Sequence, residues 1–333
     1  MARLDARAMD RRNFLKGTAA GLVLLPHLDL SDFGTGSSAR ASTVAVIRAT
    51  ERKDGVARAI QALNPLGISG KRVVLKPNFN SADGGPAGTH DDTLLQVIHE
   101  LRERDAADVT IGESSGPRGT AAVLEAKGTL DLARDLRFSV VDFDGIPDGD
   151  WVHFMPAGTH WPEGFHLPRM VSEAEYLVSA CCLKTHGSGG VFTMSLKLAV
   201  GLTPRGIRRP MHRSPDMRRM IAELNQGYRP DLIVMDGIEA FTDGGPSRGT
   251  LKQGNVMVAG TDRVAVDAVG LATLKELGSN DAIMGTPIFA QEQMARAVEV
   301  GLGAAGPQDI DLVSDDDEGW AYARKLREIL AQG

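Results

Sequence analysis

The alternation of short apolar runs with longer helical segments constrains the fold of this chain more than any other feature. Runs rich in valine and isoleucine, among them 43–48, 72–76, 108–111 and 176–181, have the length of buried strands. Most intervals between the runs have the spacing of helices, which supply the crossovers that parallel strands require. The sequence therefore predicts an α/β fold with a mainly parallel, Rossmann-like sheet and helices on both of its faces.

The first 41 residues have the order of an export signal. Arg11 and Arg12 precede an apolar run at 18–25 that is too short to span a bilayer, and an A-x-A pattern ends at Ala41. We expect the twin-arginine export machinery to recognise this segment and cleavage to follow Ala41. The mature protein would then be periplasmic, without a stable membrane anchor. The alternative is a basic tail or an uncleaved anchor.

Charge and cysteine content exclude two classes of function. The formal net charge is -6, so the chain has no global cationic field for a phosphate backbone, and nucleic acid is not an expected partner. The two cysteines, Cys181 and Cys182, are neighbours. They cannot build an iron–sulfur cluster or a disulfide framework within this chain.

Residues 42–333 are expected to form a single α/β domain, which a repeat divides into two related halves. Asp-Gly-Gly-Pro occurs at 83–86 and again at 243–246, each time in the loop after an apolar strand. Loops of one site would converge at the carboxyl ends of the strands, whereas the alternative is chance recurrence of a common turn. The Gly- and Pro-rich segment 144–169 predicts an irregular insertion or a lid.

Polar residues follow the first predicted strands. Lys76 ends one strand, Asn78 lies in the loop after it, and Glu113 ends the next strand. His90 lies just before a predicted helix, whose N-terminus suits an anion. We therefore interpret Lys76 and Asn78 as ligand-binding residues and His90 and Glu113 as catalytic candidates. The alternative for His90 is that a neighbouring aspartate caps the helix while the histidine stays solvated.

Residues 112–116 satisfy G-x-S-x-G, the nucleophile elbow of serine hydrolases. That elbow launches a helix directly from its serine, here Ser114, yet Pro117 and Gly119 interrupt the chain before helical character resumes. We therefore interpret the segment as a ligand-contacting turn, with a plain connection as the alternative.

The densest polar stretch runs from Lys184 through His186 into a glycine-rich loop and on to Lys197. Lysine amines and loop N–H groups together hold phosphates or carboxylates. We expect Lys184 and Lys197 to bind a small anionic ligand beside His186. The stretch is not a Walker loop, because the G-x-x-x-x-G-K-[ST] pattern is absent.

Two further segments contribute candidates. Segment 203–213 places Arg205, Arg209 and His212 in a predicted loop that could clamp an anion, since guanidinium groups match carboxylates and phosphates; the alternative is a solvated loop. Asp236 and Asp243 follow another strand and could hold a divalent metal together with a histidine. The alternative is that these carboxylates form turns.

The chain resembles the domain of unknown function 362 family over about 43–277. The motifs that carry the resemblance are, in order, Lys76-Pro77-Asn78, Gly88-Thr89-His90, Gly112-Glu113-Ser114, Leu183-Lys184-Thr185-His186, Lys197, Asp236-Gly237, Gly244-Gly245-Pro246 and Ala259-Gly260-Thr261-Asp262 through Val266-Asp267-Ala268. The resemblance implies a shared polar site at Lys76, His90, Lys184, His186 and Lys197. It implies no defined activity. Some family members carry ferredoxin-type cysteine motifs, which this chain lacks, so electron transfer is not carried over.

These observations lead to two functional hypotheses. The first is an exported enzyme acting on a small anionic metabolite, in which His186 or His90 is the acid or base, the lysines stabilise negative charge, and Glu113 orients the base or holds a metal. The second is a non-catalytic periplasmic binding protein or cofactor carrier with the same cleft.

Overall fold

The structure is a computed structural model that describes residues 41–116 and 119–333. The twin-arginine pair and the apolar run of the predicted export signal lie outside the described residues. The strands are β1 (Ser42–Arg48), β2 (Arg72–Pro77), β3 (Asp108–Glu113), β4 (Ser139–Asp142), β5 (Trp151–Phe154), β6 (Phe165–Pro168), β7 (Tyr176–His186), β8 (Val191–Thr193), β9 (Leu232–Gly244), β10 (Gly249–Gly260) and β11 (Ile310–Val313).

The helices that connect and cover the strands range from one turn to more than four. They are α1 (Arg52–Leu63), α2 (Asp91–Glu103), α3 (Thr120–Ala126), α4 (Thr129–Leu136), α5 (Arg169–Ser172), α6 (Ser195–Leu198), α7 (Arg205–Arg213), α8 (Met217–Leu224), α9 (Arg263–Leu277), α10 (Asp281–Met284), α11 (Glu292–Glu299) and α12 (Asp317–Gln332). In the described part of the chain, no helix is long and apolar enough to cross a membrane.

The main sheet is mixed but mostly parallel, which confirms the predicted α/β class. Its strand order is β11-β1-β10-β9-β7-β2-β3-β4, and β8 pairs with the end of β7. Five neighbouring pairs are parallel, whereas β10 runs antiparallel to both β1 and β9. The antiparallel strand arises because β9 and β10 form a hairpin, whose turn contains the second Asp-Gly-Gly-Pro motif.

Both faces of the sheet are covered. Alternate residues of β1 show this, because Val44 and Val46 pack in the core beneath α9, α11 and α12, whereas Ala45 and Ile47 pack in the core beneath α1 and α2. A strand buried on both faces is expected to be apolar at every position rather than at every second one. The continuous Val- and Ile-rich runs in the sequence have this origin.

The segment predicted as an irregular insertion contains a small antiparallel sheet. Strands β5 and β6 pair there, and the indole N–H of Trp161, in the loop between them, donates to the carbonyl of Met220 in α8 at 3.0 Å. Phe165 and Leu167 are buried on one face and His166 is exposed on the other. The strands are only four residues long, too short for this alternation to stand out among the glycines and prolines.

Strand β7 is longer than its apolar run suggests. We predicted its end near Cys181, yet all residues through His186 are in the strand and buried. The extension has a partner, because Lys184 pairs with Thr193 of β8 in an antiparallel register. Lys184 and His186 are therefore strand residues, and the glycines at 187–190 form the turn to β8.

Helix α6, which carries Lys197, is fastened to α9 by a buried carboxylate. Asp267 accepts hydrogen bonds from the backbone N–H groups of Ser195 at 2.7 Å and Leu196 at 3.0 Å. These are first-turn donors, which have no partner within the helix. The position of Lys197 therefore depends on a residue 70 positions away along the chain.

Replacing Asp267 tests this anchor. We expect Asp267→Ala to lower the free energy of unfolding by roughly 2–4 kcal/mol, because two buried N–H groups lose their acceptors. Asp267→Asn keeps one acceptor oxygen and should lose about half as much. Denaturant unfolding of both variants measures the difference, and equal stability of the wild type and Asp267→Ala would contradict the anchoring role.

Candidate functional site

A buried ion pair joins the ends of β2 and β3. The ammonium of Lys76 donates to Glu113 Oε1 at 2.6 Å and to the carbonyl of Pro77 at 2.5 Å. Glu113 also accepts the backbone N–H groups of Phe79 at 3.0 Å and Ser114 at 2.8 Å. Burial lowers the pKa of Lys76 even though Glu113 opposes the shift. Glu113, predicted to be catalytic, is thus occupied in holding Lys76 and the loops after both strands.

Lys184 connects β7 to the loop after β2. Its ammonium donates to Asn78 Oδ1 at 2.9 Å and to the carbonyl of Ala87. The backbone N–H of Asn78 in turn donates to Thr89 Oγ1 at 2.7 Å. Asn78, predicted to bind ligand, is therefore held by a lysine of the neighbouring strand, and burial lowers the pKa of that lysine.

Lys197 differs from these two lysines. It is 8% exposed, yet within the described residues its ammonium donates no hydrogen bond and forms no ion pair. Burial, and then the positive charges of Lys184 and Arg208, lower the pKa of Lys197 to about 7. A buried ammonium without an acceptor is energetically costly, and here neighbouring cations add to that cost.

Two histidines lie next to the lysines. His186 is buried, its Nδ1 accepts the backbone N–H of Gly190 at 3.3 Å, and burial followed by the charges of Lys197, His212 and Lys184 lowers its pKa to about 2. The lowered pKa favours the neutral ring near pH 7, and because Nδ1 accepts a hydrogen bond, the proton of that ring lies on Nε2. The ring of His212 lies 6.3 Å away, between centroids, and its Nδ1 is 2.7 Å from the carbonyl of Arg208.

The arginine segment predicted as a loop is helix α7. Helical spacing places Arg205, Arg208 and His212 on one face, at intervals of three and four residues. Arg208 donates to the carbonyls of Ser115 at 2.6 Å and Thr203 at 2.7 Å, and to Ser114 Oγ. Arg205 forms a 3.2 Å ion pair with Asp144.

Arg209, predicted to bind ligand, is exposed on another side of this helix. Arg208, which was not among the predicted ligand-binding residues, makes the contacts of this helix with Ser114 and Ser115. The interval of four residues between Arg208 and His212 is the signal that would have identified it, once the segment was treated as a helix.

Among the described residues, Ser114 has no histidine partner. Its hydroxyl donates to Asp144 Oδ1 at 2.6 Å and accepts from Arg208. Thr120 Oγ1, at the start of α3, donates to the same aspartate at 2.7 Å. The G-x-S-x-G segment is thus a turn fixed by Asp144, in agreement with the rejection of a nucleophile elbow.

Three other predicted site residues each have a hydrogen-bond partner of their own in the structure. His90 is the N-cap of α2, where its Nδ1 accepts the N–H of Asp92 at 3.1 Å. Asp236 accepts from Arg52 at 2.9 Å and from Thr93 at 2.6 Å.

Asp243 accepts a hydrogen bond from the side-chain amide of Asn280 at 3.1 Å. It lies near the end of β9, and at about 3.3 Å per residue the strand separates it from Asp236 by roughly 20 Å. The two carboxylates therefore do not meet in one metal site. No group of three or more His, Cys, Asp or Glu side chains among the described residues is placed to hold a metal ion.

The two Asp-Gly-Gly-Pro loops lie at the same edge of the sheet. Asn80, just before the first loop, donates to Ser247 Oγ, just after the second, at 3.0 Å. The second loop also contacts the end of β7, where Gly187 N–H donates to the carbonyl of Gly245 at 3.2 Å. Both Gly–Pro peptide bonds are cis. The repeated turns thus flank the segment that carries Lys184 and His186.

The residues that meet here carry an excess of positive charge. We call Lys76, Lys184, Lys197 and Arg208 the cationic cluster; Glu113 is ion-paired to Lys76 alone among them. An ammonium has three N–H donors, of which Lys76 and Lys184 use two each and Lys197 uses none within the described structure. The cluster therefore has unused N–H donors and, within the described residues, positive charge that no carboxylate compensates. Two surface cavities, of about 450 and 500 Å³, are lined by other residues.

Comparisons with known proteins cover this region. The family model described as "Domain of unknown function (DUF362)" matches residues 73–272, which include the whole cationic cluster. A curated relative, the Thylakoid-associated protein sll1697 of Synechocystis sp., is 26% identical over 220 residues, or 62% of this chain and 66% of the relative. A lactate racemase apoprotein from Thermoanaerobacterium thermosaccharolyticum aligns over 85% of both chains, with 13% identity and a TM-score of 0.35.

Removing the charge of Lys197 should stabilise the protein without ligand. The pKa of about 7 in the folded state lies below the unfolded value of 10.5, so the unfolded chain binds more protons between these values and the stability of the wild type rises with pH. We expect Lys197→Met to raise the free energy of unfolding at pH 6 by on the order of 2 kcal/mol. The gain should shrink as the pH approaches 10, measured by denaturant unfolding.

Lys184→Met is the matched contrast. It leaves Asn78 Oδ1 and the carbonyl of Ala87 without their donor, so we expect a loss of about 1–3 kcal/mol. A pH-independent effect of Lys197→Met, or equal effects of the two substitutions, would show that the two lysines do not differ in the way the contacts indicate.

Proposed function

Because the chain belongs to the DUF362 family, whose description names no activity, we propose a function from the site itself: the cationic cluster binds a small anionic ligand through a carboxylate or phosphate group. The observation that carries this proposal is the ammonium of Lys197, which is buried and has no acceptor in the described residues. An anion would supply the missing acceptor and offset the repulsion among the three nearest cations.

The surroundings of Lys197 support this proposal. Helix α7 brings the guanidinium of Arg208 to the cluster, and guanidinium groups suit carboxylates and phosphates. His186 adds a neutral ring with an Nε2–H donor, because its Nδ1 already accepts from Gly190. Thr193 pairs with Lys184 across β7 and β8, and its hydroxyl is buried without a hydrogen-bond partner in the structure. Each of these groups could serve an oxygen-rich ligand.

Anion affinity tests the proposal directly. We expect titration calorimetry to show binding of inorganic phosphate or a small carboxylate such as propionate to the wild type. Lys197→Met should weaken binding by a factor of about ten to a hundred, the scale of a lost hydrogen bond to a charged group. Lys71→Met, which removes an exposed lysine outside the cluster, should leave it unchanged. Equal affinities of all three proteins would refute a site at Lys197.

Turnover is the second part of the proposed function. An amine with a pKa of about 7 can accept or release a proton at neutral pH, and this favours an enzyme over a non-catalytic binding protein or cofactor carrier. The two alternatives differ in the fate of the ligand: a carrier returns it unchanged after prolonged incubation, whereas an enzyme converts it. His186 contributes a hydrogen bond in this proposal, and Lys197 replaces it as the titrating group.

We also propose that the protein is exported through the twin-arginine route and that residues 42–333 form the mature α/β domain. The support is the order of paired arginines, short apolar run and A-x-A pattern in the first 41 residues.

Replacing both Arg11 and Arg12 by lysine should leave the precursor in the cytoplasm, because the pair is what the export machinery reads. Cell fractionation with mass spectrometry of the N-terminus measures the outcome. Undiminished periplasmic protein that begins at Ser42 would show that the arginine pair is not needed.

A further inference from the structure

Among the four cations of the cluster, Lys197 alone has no acceptor in the described residues. Lys76 has Glu113, Lys184 has Asn78 and Ala87, and Arg208 has carbonyls and a serine hydroxyl. Hydrogen-bond acceptors stabilise the protonated ammonium of a lysine and hold it in one position. An amine without an acceptor can lose its proton and present the lone pair to a ligand.

The backbone and side chain of Lys197 are held in place. Asp267 binds the N–H groups of the two residues before it, in the first turn of α6. Gly190 lies against the side chain, since a Cβ atom at that position would be 3.0 Å from Lys197 Cε and 2.9 Å from His186 Nδ1. The glycine therefore permits the close approach of the turn to the lysine, and the amine stays beside His186.

The state of the amine suits a nucleophile. Burial and the neighbouring cations lower the pKa of Lys197 to about 7, so its amine loses its proton near neutral pH far more readily than a lysine with the ordinary pKa of 10.5. Desolvation and neighbouring cations are the two means by which enzymes activate a lysine toward carbonyl carbons. Both are present here: the side chain of Lys197 is buried, and the neighbouring cations are Lys184 and Arg208.

We propose that Lys197 condenses through Nζ with the carbonyl carbon of a 2-oxo acid to form an imine. The inference rests on the proposed anion site: the cations next to Lys197 hold the carboxylate, and the amine without an acceptor meets the adjacent carbonyl. A 2-oxo acid combines the negative charge that the cluster lacks with the electrophile that a neutral lysine attacks. The structure thus points to a substrate class narrower than small anions in general.

The reaction balances without an added oxidant or reductant. The Nζ lone pair forms the C–N bond, the carbonyl oxygen takes up a proton, and the nitrogen loses one to give a neutral carbinolamine. A second proton from the nitrogen then leaves with the hydroxyl group as water, and the C=N bond forms. His212 can carry these protons, because its Nδ1–H donates to the carbonyl of Arg208 and leaves the Nε2 lone pair free.

Borohydride trapping tests the proposal. The wild type is incubated with pyruvate and sodium borohydride, digested, and analysed by peptide mass spectrometry. We expect a stable adduct on Lys197, with a mass gain equal to that of pyruvic acid less one oxygen atom. Propionate has the carboxylate but lacks the ketone group at carbon 2. It should therefore form no adduct, and it should reduce labelling by pyruvate through competition.

Variants separate the amine from the charge. Lys197→Arg keeps a positive charge but has no primary amine, so it should show no adduct. Lys197→Met should also show no adduct, and it replaces Lys197→Arg in the test if the larger arginine prevents folding. Lys71→Met should be labelled like the wild type. Circular dichroism and unfolding curves confirm that each variant is folded before labelling is compared.

The outcomes distinguish this inference from the anion site on which it rests. If propionate or phosphate binds in a manner that depends on Lys197, yet borohydride gives no adduct or labels exposed lysines equally, the imine is refuted and the anion site stands. If no anion binds and no adduct forms, both fail. Exchange of the pyruvate carbonyl oxygen with oxygen-18-labelled water, lost in Lys197→Arg, is a second expected readout, because reversible imine formation exchanges that oxygen.

Discussion

The buried pair of Lys76 and Glu113 is the interaction on which the site depends. Three donors converge on this one carboxylate: the ammonium of Lys76 and the backbone N–H groups of Phe79 and Ser114, in the loops after β2 and β3. Removing one member of such a pair leaves an uncompensated buried charge, which is strongly destabilising. The pair thus fixes the carboxyl edge of the sheet before any ligand is present.

The other three cations of the cluster differ in how many hydrogen-bond acceptors surround their charges. Lys184 joins β7 to the first Asp-Gly-Gly-Pro loop, and Arg208 joins α7 to the loop after β3. These contacts give the two charges structural roles. Asp267 fixes the position of Lys197, but within the described residues no acceptor compensates the charge of this lysine, which costs stability in the free protein. A residue that lowers the stability of the free protein in this way is typical of functional sites. The proposed anionic ligand would offset this cost when it binds.

Sequence reasoning identified residues at strand ends better than residues on helices. Lys76, Lys184 and His186 meet because parallel strands end at one edge, and this could be inferred from apolar runs followed by polar residues. His90 stays a catalytic prediction, and the sequence did not indicate that its own side chain caps α2, a local role that competes with any ligand. Pro210 in segment 203–213 concealed helix α7, so the sequence did not indicate that Arg208 lies on the same face as Arg205 and His212 while Arg209 lies on another. Asp236 forms an ion pair with Arg52, which lies far earlier in the chain, so no local pattern indicated this partner.

The sequence by itself determined the fold class, the edge of the sheet at which the polar residues lie and the cationic character of the site, because these follow from the period of apolar residues and from the position of lysines after strands. Only the tertiary structure decided which lysine is left without an acceptor. Acceptors for buried ammonium groups come from loops that are distant along the chain, such as Asn78 and Ala87 for Lys184. Such acceptors lie beside Lys184, whereas none lies beside Lys197 in the part of the chain that the structure describes. This difference depends on how the strands are ordered, which no local sequence pattern indicates.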